Sequence, residues 1–167
     1  NGALFVNGAN NGLGGLTVVS NAQIWGSGSV AGAVAVQSGG IIGARYGITN
    51  AGVTLTMPSL TLDNGAIIGG YLNGTNPTVR VSGALGLTTA ASNLVQIIPS
   101  APVSVGTYPL IAYFPPLIGG SGEGGLVLGA LPNGASGFLT NDSLNGLVSL
   151  VITNAGDGLI WLGSATN

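Results

Sequence analysis

The chain has 167 residues, 46% of them hydrophobic and 32 of them Gly, but Lys and Arg together number 2 and Asp and Glu 4, for a net charge of −2. Two cations cannot neutralise a run of phosphates, so nucleic-acid binding is excluded, as is a polybasic membrane-surface helix. With no Cys and no His, the sequence has no disulfide framework, no zinc site of the usual kind, no haem ligation by His and no Ser–His or Cys–His catalytic pair.

Disorder fits badly, because disordered chains are poor in Val, Ile and Leu and rich in charge. No apolar run reaches the roughly 18 residues of a membrane-spanning helix, and the longest candidate, Pro109 to Ile118, contains three prolines. No signal peptide is visible, which reads as a mature product or an excised segment. The length suits a single domain over 1–167.

Helix formers are scarce and Gly recurs too often for a long helix. In chain order, the short apolar or alternating runs that predict strands are Ala3–Val6, Leu16–Val19, Ala33–Val36, Val53–Met57 and Leu60–Leu62. They continue with Val79–Val81, Leu94–Ile98, Tyr108–Phe114, Leu126–Leu128 and Leu147–Ile152. Asn-Gly pairs begin at Asn1, Asn7, Asn11, Asn64, Asn73, Asn133 and Asn145. Each favours positive φ and a tight reversal.

One repeat stands out. Val34-Ala-Val-Gln-Ser-Gly-Gly-Ile-Ile-Gly43 aligns without gaps on Leu60-Thr-Leu-Asp-Asn-Gly-Ala-Ile-Ile-Gly69, and Leu16 to Gly26 aligns with one extra residue near its end. The shared Ser or Asn falls at Ser20, Ser38 and Asn64, spacings of 18 and 26. A quasi-period of roughly 20 residues built of β units and small-residue corners predicts an all-β fold, a parallel β-solenoid (β-helix). Val34, Val36, Ile42, Leu60, Leu62 and Ile68 then point inward, and stacking at about 4.8 Å joins them into one column. Stacked like charges would repel, so the near-absence of charge suits such a ladder. Seven or eight coils would make a rod of roughly 35–40 Å.

The regular coils are expected over 1–82, with a less regular C-terminal part over 83–167. There Pro99, Pro102, Pro109, Pro115 and Pro116 interrupt the pattern, and Gly119 to Gly125 reads as a loop. Phe138-Leu-Thr and Leu147 to Ile152 flank a turn region, which gives either a hairpin capping the stack or further irregular coils.

Several stretches, taken in order, carry a resemblance. They are Gly15-Leu-Thr-Val-Val-Ser-Asn-Ala, Gly28 to Gly40, Leu60-Thr-Leu-Asp-Asn-Gly-Ala, Val81-Ser-Gly-Ala-Leu, Val105-Gly-Thr-Tyr-Pro-Leu-Ile-Ala-Tyr and Leu147 to Ile152 with Leu159-Ile-Trp-Leu-Gly. Together they resemble the autotransporter-associated β-strand repeat proteins, or passenger-associated transport repeats, of secreted and surface-exposed bacterial proteins. The resemblance implies an extracellular, non-enzymatic β-solenoid used as a stalk, adhesin or fibre.

Glycan-active enzymes also use β-helices, so the carboxylates matter. Glycoside hydrolysis needs two carboxyls about 5–9.5 Å apart. Asp63, Glu123, Asp142 and Asp157 lie in separate segments without an Asp-x-Asp pair, and three of them sit in turn contexts. Arg45 and Arg80 are the cations, with no acid cluster beside them, and no metal or cofactor motif occurs. Trp25, Trp161 and the four Tyr offer a sugar platform or, individually, core and corner fillers. Surface glycans are therefore one partner class. Thr54-Leu-Thr56 echoes an ice-binding ladder, but once only.

Association remains. A charge-poor β rod exposes unpaired edges at its ends, and such edges template another chain. The strand-like Ala3, Leu4, Phe5 and Val6 near one terminus and Leu159, Ile160, Trp161 and Leu162 near the other are the candidate self-association residues. The function this predicts is a cell-surface or extracellular filament of copies joined head to tail, the rival being a stalk or adhesin module of a longer secreted chain.

Overall fold

The computed structural model describes residues 2–44, 53–72, 75–88, 93–97, 103–115 and 125–156. Each predicted strand overlaps an observed one, and a 3-10 turn lies at Pro132–Gly134. The fold is all-β with parallel sheets.

The chain visits three sheets in rotation. Sheet 1 has the order β1(Gly2–Val6), β4(Ala22–Gly26), β7(Ile41–Ala44), β10(Ile67–Gly70), β13(Asn93–Ile97), β15(Leu126–Leu128). Sheet 2 runs β2(Ala9–Asn10), β5(Ser29–Val30), β8(Leu55–Met57), β11(Val79–Val81), β14(Gly106–Ala112), then β17(Leu147–Asn154) and β16(Ser136–Asp142). Sheet 3 is β3(Leu16–Val18), β6(Val34–Val36), β9(Leu60–Leu62), β12(Leu85–Leu87). Each strand from β4 to β15 lies parallel to its counterpart in the circuit before, so strands close in sequence belong to different sheets.

The register puts like residues on like. In sheet 1, Ile24, Ile42, Ile68 and Val95 follow one another inward. Sheet 3 aligns Val34, Leu60 and Leu85, with Val36, Leu62 and Leu87 beside them. Sheet 2 aligns Leu55, Val79 and Ile111. All belong to one apolar core, and each fully buried aliphatic side chain contributes about 1.5–3 kcal/mol. The six residues predicted to point inward are all within 1% of complete burial.

The shared Ser or Asn of the repeat precedes a corner from sheet 3 to sheet 1. The next residue takes positive φ every time: 61° at Asn21, 73° at Gly39, 82° at Gly65. These corners hydrogen-bond to one another, Asn21 N–H donating to Gly39 C=O at 3.1 Å and Gly39 N–H to Gly65 C=O at 2.9 Å. The backbone ladder thus continues around the corner.

Four expectations need correction. The copy beginning at Leu16 has no extra residue: Leu16 pairs with Val34 and Gln23 with Ile41, a constant offset that places Trp25 opposite Gly43. The Trp25 ring lies across Gly43, where an added Cβ would come within 2.4 Å of it. Second, neither Asn7-Gly8 nor Asn11-Gly12 takes positive φ. They join strands of different sheets, so no reversal is required. Positive φ does occur at Gly65, at Asn133 and Gly134, and at Gly146. The pairs at Asn1 and Asn73 fall outside the described residues. Third, among the described residues the largest stack of parallel strands, sheet 1, has six, about 24 Å at the usual spacing rather than 35–40 Å. The offset between paired strands grows from 18 residues, Leu16 to Val34, to 26, Val34 to Leu60, so fewer circuits fit the length. Fourth, Pro109 sits within β14 rather than at a break, beside a bulge between Pro109 and Ile111. The parallel partner β11 reaches only Ile111 and Ala112, so the missing N–H interrupts no bond on that side.

The C-terminal part contains a hairpin, after four further strands, β12 to β15, extend the three sheets. β17 pairs antiparallel with β14, and β16 antiparallel with β17. Val148, Leu150 and Ile152 of β17 enter the core. One polar residue sits badly: Asn93 is fully buried, at the corner position occupied one circuit earlier by Ala66, and its amide has no hydrogen-bond partner among the described residues.

Candidate functional site

An edge strand with apolar residues at core positions forms wherever a stack of parallel strands stops. At one end that strand is β1, which pairs with β4 and has its other backbone edge free. Leu4 stands in register with Ile24, hence in the inward column of sheet 1, but is 45% exposed where Ile24 is 1% exposed. The residue is right for a core and half its surround is missing. Leu16 and Val18 of β3 hold the same place in sheet 3, opposite Val34 and Val36. An open groove of about 330 Å3 lies between β1 and β3, lined by Leu4, Leu16, Val18 and Ile24 among others.

Of the predicted association residues, Ala3, Leu4 and Phe5 are exposed on this rim, while Val6 is turned in and buried. Leu159, Ile160, Trp161 and Leu162 lie outside the described residues. Sequence reasoning passed over Leu13, Leu16 and Val19. Leu13 is 85% exposed. Treating the Leu16 copy as the outermost of its series would have placed Leu16 on the rim.

The opposite end differs. Sheet 1 stops at β15, where Val127 is exposed. In sheet 2 the β16–β17 hairpin folds back over the last parallel strand. Its turn is held by Asp142, whose carboxylate accepts from Asn145 Nδ2 at 2.6 Å and from the Asn145 and Leu144 N–H groups at 3.1 and 3.2 Å. The Asn145 side-chain bond, aided by those backbone donors, holds its pKa below the usual 3.8. This acid is a turn residue.

Asp63 is a corner residue too: its N–H donates to Val36 C=O and its C=O accepts from Ala66 N–H, both at 2.9 Å. Glu123, Asp157 and Arg45 fall outside the described residues. Among those described, no three His, Cys, Asp or Glu side chains gather. Arg80 is exposed on the outer face of sheet 2, between Thr56 and Ala112. Those neighbours, with Ser29 beyond Thr56, leave no Thr ladder. Thr54 donates to Pro77 C=O at 2.6 Å.

Three of the Trp and Tyr residues are fillers. Trp25 Nε1 donates to Gln23 Oε1 at 2.8 Å, and its ring tilts against Tyr71 at 6.3 Å and 60°. Tyr113 OH donates to Asn141 Oδ1 at 2.8 Å. Trp25, Tyr71 and Tyr113 are all buried, so these three offer no flat surface to a sugar. Trp161 lies outside the described residues.

Among the described residues no helix is long and apolar enough to cross a membrane. No known protein family, curated protein or solved structure matches the chain.

Proposed function

We propose that the chain is a non-enzymatic structural element of the bacterial cell surface or extracellular matrix, a parallel β-solenoid whose copies join head to tail into a filament. One observation carries this reading: Leu4, in register with the buried Ile24, is left half exposed on an unpaired parallel edge. Completing that column with another strand removes apolar area from water and satisfies the backbone groups of β1 together.

Polarity favours head to tail. Two antiparallel steps from β14 bring β16 back to the direction of the parallel strands. The edges β12, β15 and β16 at the far end therefore all run as the rim strands do, and a non-closing contact of unlike ends makes an open fibre. The extracellular setting rests on the resemblance to passenger repeats.

The test is electron microscopy and size-exclusion chromatography of the purified chain across concentration. Filaments are expected, and Leu4→Glu, which places a charge in the column, abolishes them. A chain that stays monomeric and fibre-free at high concentration refutes the proposal.

A second reading, a stalk or adhesin module of a longer secreted protein, draws on the hairpin. One end of sheet 2 is folded over and the other is open, as in the last segment of a longer rod. The intact mass of the native protein separates the two readings.

A further inference from the structure

We infer that the rim receives one particular element, strand β15 of a second copy, added parallel to β1 so that Leu128 falls against Leu4 and Val127 against Ala3. This rests on the head-to-tail reading and fixes its register.

The glycines of the first circuit supply the first observation. In the second circuit Gly28 and Gly32 are obligatory, because a Cβ would stand 2.1 Å from Gly8 O and 2.0 Å from Gly14 O of the circuit before. The obstacle is backbone, which cannot swing aside. By register, Gly8 and Gly14 are the equivalents of Gly28 and Gly32 one circuit earlier. Neither has positive φ, and a Cβ on either meets nothing within 4 Å. In the isolated chain these two glycines give up backbone entropy, about 0.5–1 kcal/mol each relative to Ala in regular structure, with no steric return. A further layer of backbone carbonyls packed against the rim is what requires them.

That layer is expected to run parallel to the first circuit, since Gly26, Gly28 and Gly32 of the second circuit each meet a carbonyl of the parallel circuit before, those of Val6, Gly8 and Gly14; a second rim turned face to face would present its corners in the opposite order. The layer also has to continue the inward column of sheet 1. At the far end β15 satisfies both conditions. It is the other edge of the same sheet and runs parallel to its neighbour. Leu128 extends the column of Val95, and the outward Val127 is left 45% exposed. Neither β1 nor β15 carries a charge, so the join has no ionic term to oppose it. The three far edges stop at different levels of the stack, and β15 is the one that keeps sheet 1 unbroken.

The chain contains no Cys, which makes engineered thiols unambiguous. Adjacent residues on parallel strands lie about 4.8 Å apart, inside the roughly 4.4–6.8 Å Cα separation of a disulfide. The double variant Ala3→Cys with Val127→Cys, both outward positions, is assembled and oxidised with air and copper phenanthroline. A non-reducing ladder of dimer, trimer and higher species is expected, absent from either single variant. Dimers from Ala3→Cys alone indicate rim-to-rim contact and overturn the inference. Filaments without a ladder overturn this register but leave head-to-tail assembly standing, whereas a ladder-free sample without filaments sinks both. As a second arm, Gly8→Ala and Gly14→Ala are expected to keep the monomer's unfolding midpoint and to lose filaments. Undiminished filaments in both variants refute the role given to the glycines.

Discussion

The two ends of this molecule meet the same physical problem, an unpaired sheet edge over an apolar core, and treat it differently. At the far end β17 reverses and lays Leu150 and Ile152 into the core at 0% and 1% exposure, with β16 outside it. At the rim Leu4 occupies an equivalent inward position at 45% exposure. The fold-back closes the edge of β14 permanently, although β12, β15 and β16 remain edges, while an open edge is closed only by whatever binds there. The contrast teaches that inward register alone does not bury a side chain; a layer on both sides does.

Truncating the closed end should have the largest effect. Leu150→Ala, fully buried, is expected to cost about 3–4 kcal/mol in denaturant unfolding, and Leu4→Ala, measured under dissociating conditions, well under 1 kcal/mol. Equal losses would mean that the rim is already covered in solution. Next comes the glycine contrast. Gly32→Ala forces a Cβ onto the Gly14 carbonyl and should cost about 2–3 kcal/mol, where Gly14→Ala in the dissociated chain changes stability by less than about 0.5 kcal/mol.

A smaller effect of opposite sign belongs to Asn93. Removing its unpartnered amide as Asn93→Ala, matching Ala66 one circuit earlier, should raise stability by about 1 kcal/mol. Destabilisation instead would reveal a bond partner in solution.

The mildest test concerns Asp142. Its pKa is lowered in the fold, so its contribution is present above the ordinary carboxylate value of 3.8 and is lost as pH falls through the lower folded value. Exchange protection of the Leu144 and Asn145 amides should therefore hold from neutral pH to about 4 and fall below it, with the rim amides unaffected.

Much of the parallel core was legible because its signal is local. Leu60-Thr-Leu and Val79-Arg-Val alternate plainly, and the gap-free match of Val34–Gly43 to Leu60–Gly69 is the observed register. What escaped was set by neighbours distant in sequence. Ala9–Asn10 and Ser29–Val30 are strands of two residues that exist through their pairing alone. The sequence of Trp25-Gly26 imitates an insertion, because Trp and Gly cannot look equivalent until Gly43 is seen to lie beneath the indole. At the candidate site, the run Ala3–Val6 announced an edge strand. That Gly8 and Gly14 face empty space was not legible, since glycine in a sequence carries no record of what crowds it.

The corners of the stack differ in length by position. From sheet 3 to sheet 1 the chain spends residues 19–21, 37–40 and 63–66, always a few. From sheet 1 to sheet 2 the first two corners are residues 7–8 and 27–28, and the later strands of these two sheets stand further apart in sequence. Since doubling a loop costs only about 0.6 kcal/mol, the seam between sheets 1 and 2 should tolerate added sequence, while the corner at Asn21, Gly39 and Gly65 is rationed by its hydrogen-bonded ladder. Grafted peptides placed in that tolerant seam would be carried outward in a line, at spacings dictated by the strands beneath, without asking the scaffold to change its pairing.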